Sequence, residues 1–364
     1  MKIYQMTIYK TIFNNEIFMI LLIFFLKFIR IQSFENFKTL YISYNNYLII
    51  KQNSINYYSN NLLNEIKTFD ESQMITTTEE LDNVSFGVYK DEDNSMIANL
   101  LIVKDYIYAI QYGRYICDYQ LNKITNVLST EVFPYKCISN TCFYIIGLMQ
   151  NNKSLFLYLY QNPADSCSST LVASLSINNV ASNLKCQFML SSDNQKVLTC
   201  FCQNGDRNQM LVKSFSIDIS TPRIQEISSL SKTKDNNGVK VIKSIASRDG
   251  KKSFVCFINN SNENECLIYD ITENTWSESS TYLNECISGL SSLNIEYIEN
   301  ANGNGEYVVY CFQSKTKLNL VKFDSNFNKI EDNEENEIFD ISENVKSCKN
   351  FAASSLAHDS TKLI

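Results

Sequence analysis

The chain has 364 residues, 45% of them apolar, which is enough for one large domain with a substantial core. Its formal net charge of −7 excludes a dedicated nucleic-acid binder, because no basic field is present to draw in phosphates. The single histidine, His358, sits in a predicted turn near the end of the sequence. Ser/His/Asp and Cys/His nucleophile sets and histidine-ligated zinc therefore lack their base or ligand.

Residues 17–26, IFMILLIFFL, are ten consecutive apolar positions, with Lys2 and Lys10 before them and Lys27 and Arg30 after. A membrane span needs about 20 residues. The shorter run suits the h-region of a signal peptide, with Ser33 as the small residue at a cleavage site. An uncleaved signal anchor over Ile12 to Ile31 is the alternative, and a buried N-terminal helix is the third reading. Residues 1–33 are thus a signal peptide or signal anchor. They direct the chain to the secretory pathway, for an extracellular or cell-surface destination. The twelve cysteines fit an oxidising compartment. Three N-x-S/T acceptors are candidate glycosylation sites: Asn83, Asn152 and Asn259. The last two fall in predicted hairpin loops.

Residues 34–95 read as N-terminal strands and loops. Leu40–Ser43 and Tyr47–Lys51 form a predicted hairpin around Asn45-Asn46. Asn61–Lys67 (NLLNEIK) reads as one or two helical turns. A strand is expected at Val84–Tyr89, followed by a loop at the acidic Asp91–Asn94.

From about residue 96 to the end, the chain repeats a hairpin. Copies run over Tyr106–Leu121, Phe143–Tyr160, Val197–Asp218, Ser253–Asp270 and Tyr307–Asp324. In each, the first run is nearly continuously apolar, as expected of a strand buried on both faces. The second alternates, as expected of a strand further out. Two marks give the register. The turn residues Asp193, Asp249, Asn304 and Asp359 are spaced 56, 55 and 55 apart, and Cys200, Cys256 and Cys311 are spaced 56 and 55. Asp, Asn and Gly suit the left-handed positions of a tight turn. Earlier copies are looser: Asn140 lies 53 before Asp193, and Asp105 lies 35 before Asn140.

A repeat of this length with four strands is a propeller blade, and blades must stack to bury both faces. Ser247-x-Asp249-Gly250-Lys251-Lys252 resembles the S-x-D-G turn of TolB-like propellers. Leu267–Trp276 resembles the second half of a kelch repeat, in one copy and without the preceding Gly-Gly. The resemblance implies generic β-propeller architecture and no specific family. The expected fold is all-β, a β-propeller of about six or seven four-stranded blades. Asp359 to Ile364 opens a further hairpin that is incomplete at the C-terminus. Either the chain is a fragment, or the N-terminal strands close that blade and remove a free edge.

The cysteines best placed for bridges lie within one blade: Cys137 with Cys142, Cys186 with Cys200 or Cys202, and Cys256 with Cys266. Cys200, Cys256 and Cys311 occupy equivalent positions in successive blades, too far apart to bond one another. They are expected to serve partly as small apolar core residues. The acidic runs Asp91–Asn94 and Glu331–Glu343 lack EF-hand spacing and read as solvated loops. No catalytic residue, metal site or cofactor is nominated.

The leading expectation is a non-enzymatic binding or adhesion module, secreted or on the membrane surface, that recognises a protein or glycan through propeller loops. Membrane association would come only through the N-terminal segment or a region beyond Ile364. The alternatives are an intracellular scaffold propeller with reduced cysteines, and a secreted propeller hydrolase or lyase with clustered carboxylates at the channel.

Overall fold

The computed structural model describes residues 37–340 apart from 44–45, 60–61, 78–79, 82–83, 91–95, 112–113, 121–126, 139–140, 151–153, 164–168, 181–183, 205–208, 236–239, 288–292, 300–304, 315–316 and 331–338. The N-terminal 1–33 segment, Asn83, Asn152 and the turn at Asp359 lie outside the described residues.

The described chain is a succession of six antiparallel sheets. Blade one holds β1 (Phe37–Ser43), β2 (Asn46–Lys51), β3 (Ser54–Ser59) and β4 (Leu62–Thr68). Blade two holds β5 (Ser85–Lys90), β6 (Met96–Val103), β7 (Tyr106–Gln111) and β8 (Arg114–Gln120). Blade three holds β9 (Val127–Ile138), β10 (Thr141–Gln150), β11 (Ser154–Pro163) and β12 (Thr170–Asn178). Blade four holds β13 (Lys185–Leu190), β14 (Lys196–Gln203), β15 (Gln209–Asp218) and β16 (Arg223–Glu226). The short β17 (Lys232–Asp235) also pairs with β15. Blade five holds β18 (Lys240–Ala246), β19 (Lys252–Ile258), β20 (Asn264–Asp270) and β21 (Thr275–Trp276), and β22 (Thr281–Tyr282) also pairs with β20. Blade six holds β23 (Asn294–Glu299), β24 (Gly305–Phe312), β25 (Lys317–Phe323) and β26 (Phe339–Asp340). In every sheet the strands pair in sequence order. The first strands of blades two to six pack successively against one another, which puts them innermost. This is a β-propeller.

The apolar pattern explains the layering. In β14 every residue from Val197 to Gln203 is buried, as are Ser253–Phe257 in β19. Second strands lie between two neighbouring blades, so both faces need apolar side chains. In β11, Leu155, Leu157 and Leu159 are buried, while Phe156 and Tyr158 between them are half-buried. Each of five consecutive blade interfaces is filled by one apolar cluster. Between blades five and six, Phe254 stacks on Phe327 at 5.0 Å and leans on Phe323 at 4.8 Å. Full burial of such a ring stabilises the interface by about 1.5–3 kcal/mol. Blades two and three meet at their inner strands β5 and β9. A Cβ on Gly87 of β5 would sit 2.7 Å from the Pro134 ring of β9.

Two sequence expectations need correction. Asn61–Lys67 is strand rather than helix: β4 pairs with β3 from Leu62↔Ser59 to Thr68↔Ser54. Helix propensity is a weak prior, and the open edge of β3 overrides it. The copy at Tyr106–Leu121 is out of register with the rest. It forms the third and fourth strands of its blade, while the second is β6. Asp105 therefore sits in a second-to-third turn, which explains the anomalous spacing of 35 to Asn140. The acidic 91–95 segment, expected as a loop, lies outside the described residues. Finally, among the described residues strands β1 to β4 make a four-stranded sheet of their own, and β5 starts the next.

Candidate functional site

Strand order places the first-to-second and third-to-fourth turns of every blade on one face of the propeller, here the turn face. The second-to-third loops share the opposite face. On the turn face the Ser-x-Asp marks are folded into self-contained turns. Ser247 N–H donates to Lys252 O at 2.7 Å, and the Ser247 hydroxyl donates to Asp249 Oδ1 at 2.6 Å. Gly250 takes φ 71°, and its N–H closes the turn on Ser247 O at 2.8 Å. Blade four repeats this with Ser191, Asp193 and Asn194, whose φ is 59°. The third strands of blades four to six each end in, or are directly followed by, an aspartate that caps the following turn. Asp218 accepts from the N–H groups of Ser220 and Thr221, Asp270 from those of Thr272 and Glu273, and Asp324 from those of Asn326 and Asn328.

These bonds hold the carboxyls of Asp193, Asp218, Asp249 and Asp324 below their ordinary range. For Asp193 the Ser191 hydroxyl is the main cause, and for Asp218 the Ser220 hydroxyl. For Asp249 and Asp324 burial pushes upward, but the Ser247 hydroxyl and the Asn328 side chain respectively lead the bonds that outweigh it. A carboxylate turned back onto its own backbone is poorly placed to ligate a cation. Among the described residues no three His, Cys, Asp or Glu side chains group together as metal ligands would.

Two cation-over-ring arrangements occupy the same face. The Lys196 ammonium lies 4.4 Å from the Phe188 ring centre and 5.2 Å from that of Tyr135, and the two rings are 5.4 Å apart. The Arg248 guanidinium lies 6.0 Å over Tyr297, while Arg248 N–H donates to the Tyr307 hydroxyl at 3.0 Å. Each links neighbouring blades. Such platforms offer an aromatic face and hydrogen-bond donors side by side.

The innermost strands carry a row of charges, one from each of four consecutive blades: Glu131 in β9, Lys185 in β13, Lys243 in β18 and Glu296 in β23. Counted from the turn marks, Glu131 lies opposite Gly147, Lys185 opposite Phe201 and Lys243 opposite Cys256, all at nearly one level. Glu296, opposite Val308, is nearer the turn face. Lys185 donates to Glu131 Oε1 at 2.6 Å, and Cys186 N–H donates to Oε2 at 3.0 Å. Desolvation pushes the Lys243 ammonium down; Lys185 adds to this, while Glu296 and Glu131 oppose it. The row therefore carries both signs and is no acidic cluster.

Among the cysteines, Cys137–Cys142, Cys186–Cys200 and Cys256–Cys266 are bonded. Each pair sits directly opposite across its hairpin, with Cα atoms 3.9, 4.0 and 4.1 Å apart. Side chains meet at such short range in non-hydrogen-bonded antiparallel pairs. Cys202 is a correction: it is a free, fully buried thiol. The register sets Cys186 against Cys200, and Cys202, two residues on, lies opposite Leu211. Cys311, expected as a core residue, is bonded to Cys286 in the linker before blade six. Sequence reasoning missed that bridge because no strand brings the two residues together. It also missed the inner-strand charges, whose signal was a lone Lys243 or Glu131 inside an apolar run.

Of the three acceptor asparagines, Asn259 is described. It is half-buried at the β19–β20 loop, and its Nδ2 donates to Glu263 at 2.9 Å and Glu265 at 3.2 Å. The asparagine thus braces its own hairpin. Among the described residues no helix is long and apolar enough to cross a membrane.

No family model matches the chain, and no characterised protein matches it by sequence. Several solved structures are similar in fold. A mutant of the Aleuria aurantia lectin AAL in complex with Fucalpha1-6GlcNAc is 12% identical, with a TM-score of 0.48 over 85% of this chain and 96% of the lectin. BBS1N in complex with ARL6DN is 10% identical, with a TM-score of 0.47 over 78% of this chain and 76% of that one. The WD40 domain of SCAP from fission yeast is 8% identical, with a TM-score of 0.41 over 88% and 92% respectively. At these values they carry no argument about function.

Proposed function

We propose that this propeller is a binding module of the secretory pathway that engages a protein or glycan partner on its turn face. One observation carries the reading. Six acidic side chains on that face and at the inner strands, Asp193, Asp218, Asp249, Asp270, Asp324 and Glu131, are committed to local partners. Acid–base chemistry would need a carboxyl left uncommitted. The turn face instead presents the Lys196–Tyr135–Phe188 and Arg248–Tyr297 platforms, which suit recognition. The four bridges among the described residues support an oxidising compartment.

A glycan array and a cell-surface binding assay on the purified chain test the first part. Binding to a defined protein or glycan, weakened by Arg248→Ala or Lys196→Ala with the fold intact, is the expected result. Retention of binding in both variants would move the site elsewhere. Mass spectrometry of the full chain expressed in eukaryotic cells tests the second part. Export with cleavage near Ser33 and bridged cysteines supports it, whereas an intact N-terminus with twelve free thiols would favour an intracellular scaffold.

A further inference from the structure

We propose that Lys243 and Lys185, on the innermost strands of adjacent blades, form a binding site for a small oxyanion: sulfate, phosphate or a free carboxylate. The two lysines stand at nearly the same level, opposite Cys256 and Phe201 of their second strands. The nearby carboxylate, Glu131, is already used. One oxygen accepts from Lys185 and the other from Cys186 N–H. Glu296 lies toward the turn face, opposite Val308. Among the described residues the Lys243 ammonium makes no hydrogen bond or ion pair, although it is only half-exposed.

An ammonium desolvated among innermost strands, with a second ammonium as neighbour, is unfavourable, and Glu296 and Glu131 offset this only in part. Two outcomes relieve it: loss of the proton, or capture of an anion that both lysines can contact. The downward pull on Lys243 expresses the first. An oxyanion seated between the two ammoniums would restore the charged form and gain charge-assisted hydrogen bonds. In a β-propeller the innermost strands surround a central channel, which would let a small ion reach this level without parting two blades. This inference is independent of the partner bound on the turn face.

Thermal unfolding of the full chain in sulfate, phosphate, acetate and chloride at one ionic strength tests the site. In the wild type, at least one oxyanion should raise the midpoint saturably above the chloride value. Lys243→Met keeps the unbranched apolar stem of the side chain without its charge. It should weaken that effect about tenfold or more. Because a variant at an inner strand can fail to fold, acylation of the wild type is the second measurement. Lys243 should be modified by an amine-acylating reagent and protected by the effective anion. Equal midpoints in all four salts would overturn the proposal, as would an undiminished effect in Lys243→Met or no protection of Lys243.

Discussion

Leu190, the last residue of the inner strand β13, donates its N–H to Gly250 O in the first turn of the next blade at 2.8 Å. The turn that marks the repeat in the sequence is therefore also a stitch between blades. Gly250 holds φ 71°, and a Cβ there would lie 3.1 Å from Leu190 Cγ. Gly250→Ala should destabilise the protein by about 1–2 kcal/mol, since left-handed backbone disfavours a Cβ. Asn194, at the equivalent place with φ 59°, should accept glycine with little change. Denaturant midpoints under non-reducing conditions give both values.

The bridges should rank by the loop each closes. Cys286–Cys311 spans a separation of 25 residues and Cys137–Cys142 only 5. Chain entropy assigns about 3.5 kcal/mol to the first and about 2 kcal/mol to the second. The paired alanine variant at Cys286 and Cys311 should therefore melt below the pair at Cys137 and Cys142. Equal midpoints would show that native packing, and not the unfolded chain, sets the effect.

Cys202 should resist alkylation in the native protein. Burial pushes its thiol up to about 12, outweighing the nearby Lys213, so almost no thiolate forms near neutral pH. Iodoacetamide followed by mass spectrometry should modify it only after denaturation without reductant. Fast native labelling would show that the blade three–four interface opens.

Acid should loosen the turn face. Asp193, Asp218, Asp249 and Asp324 are all held below the ordinary carboxyl value by bonds formed only in the folded state. Their contribution is full above the unfolded value of about 4 and is lost as pH falls through the lower folded values. Stability should stay level above about pH 5 and fall below about pH 4. Asp249→Asn should flatten part of that slope, as followed by urea unfolding across the pH range.

Much of the fold was legible because its marks are local. An Asp two residues after a Ser, followed by Asn or Gly, builds the same turn wherever it occurs. A short apolar run bounded by turn residues on both sides reads as a strand covered on both faces, hence β14, β19 and β24. The cross-hairpin bridges follow from the same reasoning, because residues equidistant from a turn face each other. Blade two was misread where its first turn lacks the Ser-x-Asp mark and an apolar run, β6, precedes the copy chosen. Asn61–Lys67 was misread because seven residues with helix-forming types carry no sign of the edge they will pair with.

The sequence by itself determined the repeat, its period, the all-β class and the hairpins within each blade, all set by neighbours a few residues apart. Only the tertiary structure decided what lies between blades. Cys286 meets Cys311 across a linker, Cys202 is left a free thiol inside an apolar cluster, and Lys243 is brought beside Lys185 with Glu131 already taken. The reason is that inner strands from different blades converge at one level through the stacking of whole sheets. That stacking depends on the summed twist and packing of every blade, and no short stretch of residues encodes it.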